Sequence, residues 1–136
     1  MWKEKYRIGI ELVDEQHKEL FKRLSDFIEV IQNEKDWDEK LEQANKTMLF
    51  MQEYVIFHFN DEEDYMAKIN YPEIENHVST HNLFREWIGD CLESFYQDGF
   101  TEENVQEFGG KIIKWLILHV GRMDQKIGEF VRKQSE

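Results

Sequence analysis

The sequence predicts an all-α fold: an antiparallel up-down four-helix bundle with an N-terminal arm and a two-metal site in the bundle core. Three observations carry that prediction. Helix breakers are scarce, with one proline and seven glycines in 136 residues. Four long stretches repeat apolar residues at alternating steps of three and four, the spacing of one helix face. All five histidines fall on those stripes or beside them at ligand-like offsets.

In chain order, residues 1–13 read as the arm, with Trp2, Tyr6, Ile8 and Ile10 available to pack on the bundle. The first helix is expected over 15–33, after Asp14 as N-cap, with His17, Leu20, Leu24, Phe27 and Ile31 facing inward. The second is expected over 37–68. Its stripe is Leu41, Ala44, Met48, Met51, Val55, His58, Glu62 and Tyr65, so a histidine and a glutamate replace core residues without breaking the rhythm. The third is expected over 72–97, with Pro72 as a favoured first-turn residue and Asp98-Gly99 as its stop. It would turn Ile74, His77, His81, Phe84, Ile88, Cys91 and Phe95 inward. The fourth is expected over 102–132, after Thr101 as N-cap, with Val105, Phe108, Ile112, Trp115, Leu116, His119 and Met123 inward. Short connections make sequential helices antiparallel neighbours, and residues 1–136 are expected to form one domain.

Composition narrows the function. A formal net charge of −12 argues against nucleic acid or an anionic membrane as partner, since both need a basic patch. It favours a soluble monomer. The lone Cys91 excludes a disulfide within the chain and suits a reducing compartment. The apolar runs are too short for membrane insertion and the N-terminus lacks the apolar segment of a secretory signal. A cytoplasmic location is expected.

The chemistry sits in His17, His58-x3-Glu62, His77-x3-His81 and His119-x4-Asp124. Residues four apart share a helix face about one turn apart. Taken singly, an inward histidine is more often a hydrogen-bonded core residue than a ligand. Taken together, five imidazoles and two carboxylates buried without partners would cost several kcal/mol per charged group. A metal resolves that cost. Mixed imidazole and carboxylate donors suit iron, zinc, copper or manganese. A structural zinc site would be thiolate-rich. Bridging carboxylates in a bundle point to a dinuclear iron or manganese centre. Two octahedral ions offer twelve positions. Five histidines, two bridging carboxylates and a bridging hydroxide fill eleven, which leaves one for a small diatomic ligand. One spacing resists this scheme: His119 and Asp124 are five apart, about 140° round a regular helix. A π-bulge around Gly121 is expected to bring them to one face.

These motifs resemble those of the hemerythrins. The resemblance rests on Ile8-Gly9-Ile10, Asp14-Glu15-Gln16-His17-Lys18-Glu19-Leu20-Phe21, His58-Phe59-x-x-Glu62-Glu63, His77-x-x-x-His81-x-x-Phe84 and Trp115-Leu116-x-x-His119-x-x-x-x-Asp124. It covers nearly the whole chain, in the family's single-domain form. It implies a non-haem, oxo- or hydroxo-bridged pair of iron ions that binds O2 reversibly, for oxygen storage or delivery rather than enzymatic turnover. His77, His81 and His119 are implied to hold one iron. His17 and His58 are implied to hold the other, with the open position, and Glu62 and Asp124 to bridge. Leu20, Leu24, Phe59, Trp115, Leu116 and Val120 then read as a dry O2 pocket that suppresses loss of the oxygenated form. Delivery would require an O2-consuming acceptor protein. The competing readings are an O2 or redox sensor read by a partner, and a di-iron enzyme acting on peroxide or nitric oxide.

Overall fold

The computed structural model describes residues 2–135. A short 3-10 turn, Glu4–Tyr6, lies in the arm. Helices α1 (Glu11–Asn33), α2 (Trp37–Lys68) and α3 (Ile74–Asp98) follow. The fourth rod consists of α4 (Glu102–Leu118), a π turn (His119–Met123) and α5 (Asp124–Gln134). Helical faces meet over an apolar core that includes Leu24 and Phe27 of α1, Met48 and Met51 of α2, Ile88 of α3 and Ile112 of α4. Among the described residues, no helix is long and apolar enough to cross a membrane.

Local chemistry explains the element ends. Thr101 begins α4 with a reciprocal capping box: its Oγ accepts from the Asn104 N–H at 3.1 Å, and Asn104 Oδ1 accepts from the Thr101 N–H at 2.8 Å. Gly99, at φ +79, ends α3 in a conformation that favours glycine.

Several boundaries and stripe positions differ from the sequence expectation. Helix α1 begins at Glu11, not 15, and Asp14 is not its N-cap. Asp14 is buried inside the first turns, where its carboxylate accepts from the backbone N–H groups of Ile8 at 2.8 Å and Gly9 at 3.1 Å. A carboxylate there suits the positive end of the helix and clamps the arm. Helix α3 begins at Ile74, not at Pro72, because the chain first completes a turn. The Tyr71 N–H donates to Met66 O at 2.9 Å, and Tyr71 is buried. The helix ends at Asp98 rather than 97. The fourth rod reaches Gln134 rather than 132, and the π turn expected around Gly121 divides it.

Tyr65 and Cys91 are only half-buried, while the next residues, Met66 and Leu92, are buried. A strict three-four alternation drifts relative to 3.6 residues per turn. Late in α2 the core face has moved on by one position, whereas in α3 only one step differs: Ile88, Leu92 and Phe95 are buried. Leu41, near the start of α2, is also half-buried. Met123 is half-buried too, because the π turn changes the rotation at that point.

The arm crosses the π turn and α5. Tyr6 stacks on Phe21 with ring centroids 5.0 Å apart, and Ile8 is buried. Gln125 Nε2 donates to Tyr6 O at 2.8 Å and to Val120 O at 3.3 Å, while Arg132 donates to Ile8 O at 3.3 Å. Close approach of the arm requires glycine at 128, where a Cβ would run into the Ile8 carbonyl.

Candidate metal centre

All seven expected ligand side chains converge between the helices. His17 comes from α1, His58 and Glu62 from α2, His77 and His81 from α3, and His119 and Asp124 from the ends of the π turn. Each is buried, and His17, Glu62, His81 and Asp124 have no exposed surface. The expected π turn spans His119–Met123, and it turns Asp124 to the same side as His119.

The two carboxylates divide their oxygens between two histidine groups. Glu62 Oε1 lies 2.8 Å from His77 Nε2 and 3.2 Å from His81 Nε2, whereas Oε2 lies 3.4 Å from His58 Nε2 and 3.6 Å from His17 Nε2. Asp124 repeats the division. Its Oδ1 lies 2.9 Å from His77 and 3.1 Å from His119, and its Oδ2 lies 3.0 Å from His17. Two donor sets result: His77, His81 and His119 with both carboxylates, and His17 and His58 with the same two carboxylates. Within each set the candidate donor atoms lie within 4.8 Å of one another.

These short contacts are not aligned hydrogen bonds. Both oxygens of Glu62, both oxygens of Asp124 and Nε2 of His77 are buried without a hydrogen-bond partner. A buried polar group left unsatisfied costs about 1–3 kcal/mol, and here several of them aim at shared points rather than at one another. A cation at each point would satisfy them. The donor set fits the iron implied by the resemblance: nitrogen and oxygen only, with carboxylates placed between the two groups.

Two imidazoles are oriented from outside. The His58 Nδ1–H donates to Gln16 Oε1 at 2.7 Å, and Gln16 Nε2 donates to Asp61 at 2.8 Å. The His81 Nδ1–H donates to Glu63 at 2.7 Å, and Arg85 pairs with the same carboxylate oxygen at 3.0 Å. Such bonds put the proton on Nδ1 and leave the Nε2 lone pair facing the cluster. Gln16 and Glu63 lie off the apolar stripes, so helix periodicity alone gives them no role. The available signal was position: each adjoins a ligand and points to a different helix face.

Electrostatics in the metal-free cluster oppose burial. Burial drives the His17 and His77 imidazoles down, but the Asp124 and Glu62 carboxylates outweigh it and raise both to about 9. Burial lowers His58, against the pull of Glu62. Burial pushes the Glu62 and Asp124 carboxyls up, yet the surrounding histidines hold both below the usual carboxylate range.

Of the six expected pocket residues, Leu20, Leu24, Phe59, Leu116 and Val120 belong to the apolar core and Trp115 packs against it. Phe59 stacks flat on His81, with centroids 3.7 Å apart and planes at 4°. Trp115 stacks on His119 at 4.4 Å and 11°. Leu20, Leu24, Leu116 and Val120 are buried, while Trp115 is half-buried.

A family model described as the hemerythrin HHE cation binding domain matches residues 8–131. The chain is 28% identical over 129 residues to a bacteriohemerythrin of Clostridium acetobutylicum, covering 93% of this chain and 96% of that protein. It is 29% identical over 126 residues to a hemerythrin-like protein of Naegleria gruberi, covering 92% of this chain and 87% of that one. It is also 29% identical over 126 residues to a myohemerythrin of Theromyzon tessulatum, covering 92% and 88%.

Proposed function

We propose that this chain, which belongs to the hemerythrin family, binds O2 reversibly at a non-haem di-iron centre and stores or delivers it. The observation that carries the proposal is the division of the Glu62 and Asp124 oxygens between a three-histidine group and a two-histidine group. His77, His81 and His119 would hold one iron, and His17 and His58 the other, with Glu62 and Asp124 bridging. The two-histidine side is one protein donor short, and that is the place for O2. The irons, when bound, supply the reversible redox chemistry that dioxygen binding requires.

The remaining work belongs to the protein. Gln16 and Glu63 aim the His58 and His81 rings. Leu20, Leu24, Phe59, Trp115, Leu116 and Val120 form the apolar surround, which keeps water and stray protons away from bound dioxygen. This lining supports binding over turnover, since it offers a second substrate little polar purchase. We take the protein to be cytoplasmic and monomeric, with an O2-consuming protein as recipient where the role is delivery.

The test is the visible spectrum of the iron-loaded, anaerobically reduced protein before O2, after O2 and after argon purging. A charge-transfer band that appears with O2 and leaves on purging supports a carrier. A colour that appears once and does not reverse overturns it and favours an enzyme acting on peroxide or nitric oxide.

A further inference from the structure

The chain holds 29 acidic residues, yet two neighbouring stretches lack any: 76–85 in α3, and 108–123 in α4 and the π turn. The two elements meet through rings, with Phe84 and Trp115 4.0 Å apart between centroids. Between them open two adjoining grooves of about 360 Å³ each, which share Thr80 and Trp115. The apolar rim includes Leu83, 66% exposed. Lys111, Arg122 and Lys126 line the grooves, and Lys114 adjoins Trp115 in sequence. Lys111 pairs with Glu107 at 2.8 Å, whereas Lys114, Arg122 and Lys126 carry no ion pair among the described residues. On a chain of net charge −12, this is a face that attracts an acidic partner while the rest repels it, the arrangement that steers docking to one place.

The same groove reaches the cluster. Half-buried Trp115 stacks on His119 at 4.4 Å, and His119 Nε2 lies 3.1 Å from Asp124. We propose that this face docks an acidic one-electron carrier protein, of the iron–sulfur or flavin class, that re-reduces the centre through Trp115 and His119. The inference rests on the di-iron reading. Each encounter moves one electron from the donor's reduced cofactor, which is thereby oxidised by one, through the two stacked rings to one ferric ion, reducing it to ferrous. Two encounters restore the pair, and no bond forms or breaks.

The experiment mixes the oxidised, iron-loaded protein with a reduced plant-type [2Fe–2S] ferredoxin as acidic probe. A carbodiimide cross-linker joins its carboxylates to touching lysines. Cross-links are expected at Lys111, Lys114 and Lys126, and the bimolecular reduction rate should fall with added salt. The triple variant Lys114→Glu, Arg122→Glu, Lys126→Glu should slow that rate by about tenfold or more. Its reduction by a small uncharged hydroquinone should not change. Trp115→Leu, which keeps the charges, should slow ferredoxin reduction and leave the cross-links in place. Cross-links spread over other lysines, an unaffected rate in the triple variant, or cross-links that join two copies of this chain at the face would each overturn the proposal. Every readout is taken without O2, so loss of reversible oxygenation would sink the carrier reading and leave this one standing.

Discussion

Gly128→Ala should unseat the N-terminal arm, and the structure sets the size of the effect. The added methyl would meet the backbone carbonyl of Ile8, which cannot rotate aside as a side chain can. Forcing a methyl into a closed contact costs about 1–3 kcal/mol. The penalty is limited by what the arm loses if it lifts. That is the burial of Ile8, at 1% exposed, worth about 1.5–3 kcal/mol, and the bonds from Gln125 to Tyr6 O and Arg132 to Ile8 O, about 1 kcal/mol each. Against this, alanine is better than glycine inside a helix by about 1 kcal/mol, and position 128 lies inside α5. The contact outweighs that gain, for a net loss of up to about 2 kcal/mol, or about 3–5 °C in Tm per kcal/mol for a chain of this size. Gly110→Ala is the control. It shares the helix-propensity gain and meets nothing within 4 Å, so it should stabilise by about 0.5–1 kcal/mol. Thermal unfolding of the iron-loaded proteins, followed by far-UV circular dichroism, reads both. A Gly128→Ala protein stabilised as much as Gly110→Ala would refute the claim that the arm is in rigid contact with α5.

Other consequences follow from the cluster and its surround. Leu116 is fully packed, so Leu116→Asn should cost about 1–3 kcal/mol and speed autoxidation; an unchanged decay rate of the oxygenated form would remove Leu116 from the protective lining. Gln16→Ala and Glu63→Ala, which release His58 and His81 from their 2.7 Å anchors, should each weaken iron binding by about 10–100-fold, measured by competition with a chelator. His17 and His77, raised to about 9 in the metal-free protein, are protonated at pH 7 and must lose their protons to ligate. Iron uptake should therefore release about two protons per cluster from these imidazoles at pH 7, fewer as pH rises through about 9, beside one from the water that becomes the bridging hydroxide. Titration calorimetry in buffers of different ionisation heat counts them, and release of no more than one would contradict the assigned charges. By the same sign, those charges stabilise the metal-free fold fully below about pH 6.5, and that contribution is lost as pH climbs through about 9.

The sequence announced the bundle because its signals are periodic. Stripes such as Leu20, Leu24, Phe27 and Ile31 are written at helix spacing, and all four residues are buried. The seven candidate ligands were legible for the same reason: they occupy core positions that no unpartnered polar group would hold. Legibility failed where a partner distant in sequence decides. Asp14 looks like a cap from its neighbours alone, but it answers to the backbone of Ile8 and Gly9. Cys91 and Leu92 compete for one core position between Ile88 and Phe95, helix spacing allows either, and Leu92 is the one buried. Gln16 and Glu63 took no part in the stripe pattern, since a residue that orients a ligand stands beside it and not in line with it.

The fourth rod joins the arm to the site. A regular helix would carry Asp124 about 140° away from His119, and Glu62 would then bridge alone. The π turn, a geometry that is rare and often sits at functional sites, corrects the angle. Here Gln125 donates to Val120 O within it, and the Tyr6 ring covers Gly121 at a distance where an added Cβ would just touch, 3.4 Å. The arm that supplies Tyr6 is in turn held by Asp14, three residues before His17 on the same helix. Arm, π turn and first helix therefore form one closed set of contacts around the site. Loosening the arm should therefore shift the π turn that begins at His119 and delivers Asp124, while Glu62, His58, His77 and His81 on α2 and α3, which the arm does not touch through these contacts, stay in place.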